Sequence, residues 1–287
     1  MRAYYNEIDP YAAQWLRNLI AHNLIAPGDV DTRPIQDVAP DDLAPYAQCH
    51  FFAGIGGWSR ALRLAAVPDH CPVWTGSCPC QPFSAAGRRG GFADERHLWP
   101  FFHHHIRVRR PAVVLGEQVG GPAGLAWLDL VCADMEAEGY AVGAADLPAA
   151  CVGAPHIRQR LFWVADASSP ERRPAAEEWH EPDRADAGRQ ETASGHRLYR
   201  ARRLPGSLGG ICGIEESAGP RDAESQRRGF WDDLDWLPCA DGKWRPTKPG
   251  LFPLSARVPN RVAQLRAIGN AIVPQVAAEF IRAALGY

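Results

Sequence analysis

Lysine is nearly missing from this chain: Lys243 and Lys248 are the only two in 287 residues, so basic charge is carried almost wholly by arginine. Neither sign of charge dominates, because 31 basic and 33 acidic side chains leave a net charge of -2. No global basic field advertises a nucleic-acid partner. No apolar run approaches the length that crosses a bilayer, and the opening MRAYYNEIDPYAAQW has no signal-peptide core, so a cytoplasmic chain without a membrane partner is expected. The 8 cysteines do not fall into a small-domain disulfide pattern. Cys78 and Cys80 have the wrong spacing for a zinc knuckle and no second pair nearby, which leaves no metal site to expect. What is present is core-forming material: 46% apolar and 9% aromatic residues exclude whole-chain disorder and suffice for one large or two modest domains.

Residues 1–165 alternate as a parallel α/β sheet does. Asp9-Pro10 opens a helix through Trp15, Leu16, Leu19 and Ile20, with proline in its first turn. HFFAGIGG (50–57) reads as a strand ending in glycines, followed by the helical WSRALRLAA. CPVWTGSCP (71–79), RRPAVVLGEQV (109–119) and RLFWVADA (160–167) read as further strands, and 127–140 as a helix. From 168 to about 228 the chain is polar and charged with few aliphatics, as a loop-rich insertion is. The end, 261–285, reads as helix interrupted by a Gly-Asn turn.

Several positions could carry chemistry. Gly54, Gly56 and Gly57 stand between a strand and a helix, where backbone can approach a nucleotide-like cofactor; a plain helix-packing turn has the same signature. Cys80 follows a strand inside Pro-Cys-Gln-Pro; free cysteine is usually buried, but reactive groups sit at such strand ends. The glycine-rich, charged segment after it suits a lid. Glu117, after AVVLG, fits a helix cap and a catalytic acid equally. Arg158 and Arg160 fall on one face by strand alternation, to grip an anion or polar base edge or to be solvated. His103, His104 and His105 point in different directions on a helix, which favours solvated or capping roles over a metal.

Together these segments resemble the DNA cytosine-5 methyltransferase family: FAGIGG its cofactor loop, PCQPFS its nucleophile motif, GEQV its Glu-Asn-Val motif, PHIRQR its Gln-x-Arg-x-Arg motif and GNAIVP its C-terminal motif. The likeness spans about 50–165 and 258–285. The family's two further cofactor motifs do not fit between Gly57 and Cys80. They resemble instead YYNEIDPYAAQWLRNL (4–19) and PGDVDTRPIQDV (27–38), ahead of the glycine loop. The order is rearranged, and 39–49 must carry the chain from the third strand to the first across the end of the second.

The resemblance implies an α/β, Rossmann-like S-adenosylmethionine-dependent methyltransferase sheet with permuted strand order, plus a small loop-rich target-recognition region. It divides the chain into a catalytic and cofactor domain (1–165), a recognition region (166–258) and a returning segment (259–287). It implies methyl transfer from S-adenosylmethionine to C5 of a flipped cytosine in double-stranded DNA by a monomer, within a restriction system or a phage. Cys80 is the implied nucleophile, Glu117 the residue on N3 and the exocyclic amine, Arg160 the contact to O2, and Arg158 its support. Phe52, Gly54, Ile55 and Gly57 are implied to line the cofactor, with Glu7 and Ile8 at the ribose, Asp29 and Val30 at adenine, and Pro79, Leu98, Asn270 and Ile272 as further contacts. Gln81, Ser84, Arg88, Arg89 and Arg96 of the lid, with Arg200, Arg202 and Arg203 of RLYRARR and with Lys243 and Arg245, are candidates for DNA; a solvated loop is the competing account of RLYRARR. The chain departs from the family at His50 (usually Asp), Gln118 (usually Asn) and His156 (usually Gln). An RNA cytosine methyltransferase and a catalytically silent DNA-binding homologue are the alternatives.

Overall fold

In a computed structural model, residues 2–79, 98–154, 156–167, 235–238, 244–247 and 261–286 are described. The elements are β1 (Arg2–Asn6), α1 (Pro10–Ala21), β2 (Gly28–Asp31), β3 (Tyr46–Phe51), α2 (Gly57–Leu64), β4 (Val73–Gly76), α3 (Trp99–Arg109) and β5 (Val113–Val119). After them come α4 (Pro122–Ala137), β6 (Ala141–Pro148), β7 (Gln159–Asp166), β8 (Asp235–Pro238), β9 (Trp244–Thr247), α5 (Arg261–Asn270) and α6 (Pro274–Leu285).

Seven strands form one sheet in the order β2-β1-β3-β4-β5-β7-β6. The first five are parallel, while β7 runs antiparallel to both of its neighbours. The glycine-loop strand β3 therefore lies inside the sheet, flanked by a strand that precedes it in sequence and one that follows. A strand's place depends on pairing and face packing, not on when the chain reaches it. Antiparallel β8 and β9 form a separate pair.

Both faces are covered, as a mostly parallel sheet requires. On one side α2 and α6 bury Trp58, Leu62, Phe280 and Ile281 with Val73, Leu115 and Phe162 of the sheet. On the other, Trp99 and Phe102 of α3 and Trp127 and Met135 of α4 pack with Phe51, Val114 and Trp163. Asp9 caps α1, its Oδ1 accepting from Tyr11 N at 2.9 Å and Ala12 N at 3.0 Å, so the Asp-Pro start is built as its residues suggest.

Three expectations need correction, and one strand was not expected. Strand β3 begins at Tyr46, four residues before 50, because even the polar Gln48 pairs with both β1 and β4. The crossover from β2 to β3 does more than pass an end: Ile35, Val38 and Leu43 are buried against the α3 side of the sheet. His105 is no solvated residue, being 2% exposed and stacked on Phe51. Strand β6 has no clear signal in AVGAADLP, whose small residues neither alternate nor form an aliphatic run; pairing to β7 defines it. Among the described residues no helix is long and apolar enough to cross a membrane, and no group of three metal-ligating side chains occurs.

Candidate active site

Parallel registers bring the ends of β1, β3, β4 and β5 to one edge: Asn6 pairs with Phe51, Phe51 with Gly76, and Gly76 with Gly116. Antiparallel β7 starts at the same edge, with Arg160 opposite Val119. The residues just past this line are Glu7, Phe52 and Ser77, with Glu117 level with them but still inside β5.

Glu117 is 8% exposed, and Arg160 Nε lies 2.9 Å from its Oε1. Burial pushes the Glu117 carboxyl above the usual carboxylate range, while the Arg160 and Arg158 charges and a hydrogen bond from Ser77 oppose the rise. Trp58 Nε1 donates to Ser77 Oγ at 3.0 Å. With an acceptor site of Ser77 so occupied, its hydroxyl proton is directed at Glu117. Neither Trp58 nor Ser77 stands out in the sequence; the only signal is that 71–79 and 109–119 end in the same way. Gln118 Nε2 reaches the Cys78 carbonyl at 3.4 Å and so tethers the backbone just before Pro79. Cys78 itself is buried, which pushes its thiol pKa up and keeps it protonated.

Arg158 does not share Arg160's direction. It precedes β7 with φ +36°, so strand alternation does not reach it. Its Nη2 donates to Gly269 O at 3.0 Å and to Ala271 O.

The glycine loop follows β3 at the same sheet edge, two strands from β5. Phe52 has φ +53° and meets the Phe102 ring edge-on at 6.3 Å. Gly54 donates its N–H to Glu7 Oε2 at 2.7 Å, and Glu7 Oε1 accepts from Asp9 N at 2.9 Å. Both oxygens keep a lone pair for a further donor. Gly54 has φ +55° and a Cβ there would meet nothing within 4 Å, so the backbone faces open space. Ile8 next to it is 63% exposed. An open glycine backbone, a carboxylate with spare acceptor sites and an exposed apolar side chain suit a nucleoside with a vicinal diol.

Ile272, 8% exposed, packs on Gly57, where a Cβ would stand 2.7 Å from its Cγ1. Pro79 and Asn270 are exposed, and Ile55 and Leu98 half-buried. Asp29 and Val30 are placed apart from Glu7: Asp29 is level with Tyr4, three residues or roughly 10 Å short of Glu7 along the strand. Its carboxylate meets Arg2 at 2.7 Å and the Tyr46 hydroxyl at 3.0 Å, at the wall of a cavity of about 630 Å³. A smaller cavity, about 300 Å³, adjoins Arg160 and Val119. The smaller one is bordered by one member of the ion pair, Arg160; the larger is an acidic hollow beside β2. Cys80, Gln81, Ser84, Arg88, Arg89, Arg96, Arg200, Arg202, Arg203 and Lys243 lie outside the described residues, and Arg245 is described only as part of β9.

Residues 59–196 match the model of the family "C-5 cytosine-specific DNA methylase". Over those residues the chain is similar to the C-5 cytosine-specific DNA methylases. It is 35% identical over 140 residues to the type II methyltransferase M.NlaX of Neisseria lactamica, covering 45% of this chain and 44% of that protein. It is 34% identical over 99 residues to M.AplI of Arthrospira platensis, covering 34% of this chain and 29% of that protein. The chain thus spans under half the length of these relatives. Among solved structures it is similar to Spodoptera frugiperda DNMT2, with 19% identity, a TM-score of 0.38 and coverage of 75% and 53% of the two chains. The Glu and final Arg of the expected motifs stand together at one sheet edge.

Proposed function

We propose that this chain is a DNA cytosine-5 methyltransferase using S-adenosylmethionine. The observation that carries the reading is the buried Glu117–Arg160 pair at the edge where β4 leads into Pro79-Cys80-Gln81. S-adenosylmethionine, when bound, supplies an electrophilic methyl group. Glu7 would accept from the ribose hydroxyls, with Ile8 against them; Phe52 would stack on adenine, and Gly54, Ile55 and Gly57 would border the cofactor. Asp29 and Val30 are assigned to the adenine end, where Asp29 would take the amine as a further donor. Pro79, Leu98, Asn270 and Ile272 complete the cofactor surroundings.

Carbon 5 of cytosine is a weak nucleophile. Addition of the Cys80 thiolate to C6 moves electron density to C5 and forms a C6–S bond. Burial raises the Glu117 pKa and so favours its protonated form, which would donate to N3 while its other oxygen accepts from the exocyclic amine. Arg160 would contact O2. After C5 gains the methyl group, loss of the C5 proton and cleavage of C6–S release Cys80 and the product. The base must leave the stack to reach these groups.

The rearranged order is part of this reading: β1 and β2 act as the second and third strand units although they precede the glycine-loop strand. The recognition region is assigned to 166–258, with the lid and arginine candidates on DNA; 1–165 and 259–287 form the catalytic part. A monomer is assigned.

The test is incubation of DNA with purified protein and S-adenosylmethionine, followed by sequencing of methylated cytosines. Cys80→Ala should abolish product while S-adenosylhomocysteine still binds. Product from Cys80→Ala would remove Cys80 as nucleophile, and methylation of transfer RNA alone would replace the DNA substrate.

A further inference from the structure

Helix α5 ends at Asn270 and α6 begins at Pro274, so the chain turns within three residues. Carbonyls at a helix C-terminus lack intrahelical donors and carry the negative end of the helix dipole. Arg158 meets this need from far along the chain: its Nη2 donates to both Gly269 O and Ala271 O. A guanidinium suits the task because it stays charged and presents a rigid fork of donors. Arg158 keeps a left-handed backbone, φ +36°, which a non-glycine side chain adopts only when surrounding contacts hold it.

The turn so held delivers Ile272 onto Gly57, at the first residue of α2 and the end of the glycine loop. Two residues from Arg158, Arg160 makes the ion pair with Glu117. The two arginines thus face different tasks: one pairs with the base-binding carboxylate, the other ties the C-terminal turn to the cofactor loop.

We propose that Arg158 is a positioning residue for the cofactor loop, acting through the 269–272 turn, and not a contact to the target cytosine. This rests on the cofactor assignment made above. Losing charge-assisted hydrogen bonds to the turn should weaken cofactor binding about tenfold.

The experiment uses the full chain without DNA and S-adenosylhomocysteine as probe, with affinity read by calorimetry and order by amide hydrogen exchange. Arg158→Ala should bind about tenfold more weakly, with faster exchange at 54–57 and at 271–273. Arg158→Lys should recover part of both, since an ammonium can reach one carbonyl. Arg160→Ala, the comparison, should hold affinity and exchange near wild type. Unchanged affinity and exchange in Arg158→Ala would overturn the proposal, as would an equal loss in Arg160→Ala. If the wild-type chain does not bind the probe, the cofactor assignment fails; exchange at 54–57 and 271–273 then decides whether Arg158 holds the turn. If Arg158→Ala does not fold, Arg158→Lys is read by the same two measurements, and wild-type values in it overturn the proposal.

Discussion

His50 stands one residue from the end of β3, where the family usually has Asp, and the structure gives it a neutral role. Its Nδ1 lies 2.8 Å from Thr75 Oγ1, its ring stacks on Tyr5, and burial pushes its pKa down to about 3. In the unfolded chain it takes a proton near its ordinary value of 6.5, so the unfolded state binds more protons between about 6.5 and 3. Its contribution to stability is complete above that window and is lost as pH falls through it. Urea unfolding at pH 7.5 and 5.5 should show the loss, and His50→Asn should reduce the difference. An equal loss of stability between the two pH values in both proteins would rule the histidine out. Ser77 supplies a second test of an individual side chain. It stabilises the ionised Glu117, so Ser77→Ala should move the Glu117 limb of the pH–rate profile to higher pH. Trp58→Phe, which removes the N–H that orients Ser77, should move it the same way by less. An unmoved limb in Ser77→Ala would show that the hydroxyl does not act on Glu117.

The packing of the turn before α6 against α2 depends on glycine at position 57. Its missing side chain lets Ile272 approach, and a methyl there would overlap Ile272 Cγ1 at 2.7 Å. Gly57→Ala should cost about 1–3 kcal/mol through overpacking, measured by denaturant unfolding. Ile272→Ala should lessen that penalty in a double-mutant cycle, whereas additive losses would place the strain elsewhere. The glycines were visible in sequence, but whether they served a cofactor or a helix contact was not. The structure separates the two positions: Gly54 faces open space and Gly57 faces Ile272. Arg158 shows the limit of periodicity, since the alternation that placed it beside Arg160 begins one residue later, at Gln159.

Across the molecule, the first 31 residues supply two of seven sheet strands, and β1 pairs on both sides. Tyr5 and Leu16 in this segment are fully buried. Deleting 2–38 should expose the side of β3 and yield aggregated protein; cooperative unfolding of the shortened chain at wild-type urea midpoint would refute it. Moving 2–38 to follow α2, with linkers, should restore folding, because each strand keeps its neighbours. Failure of several linker lengths would count against interchangeable strand order.

The local chemistry of the chain was written in its residues: Asp9-Pro10 starts α1, aliphatic and aromatic runs build the inner strands, and the Glu and Arg motifs name the two partners of an ion pair. These follow from short-range sterics, capping and burial, which a few neighbouring residues suffice to specify. The pairings lie beyond such reach. That Gln48 joins a strand, that small residues form β6, that Ser77 stands beside Glu117 and that Arg158 ties down a turn more than a hundred residues away all depend on which segments meet. Hydrogen bonds between distant strands, and the burial that follows, exist only once the sheet has closed its order.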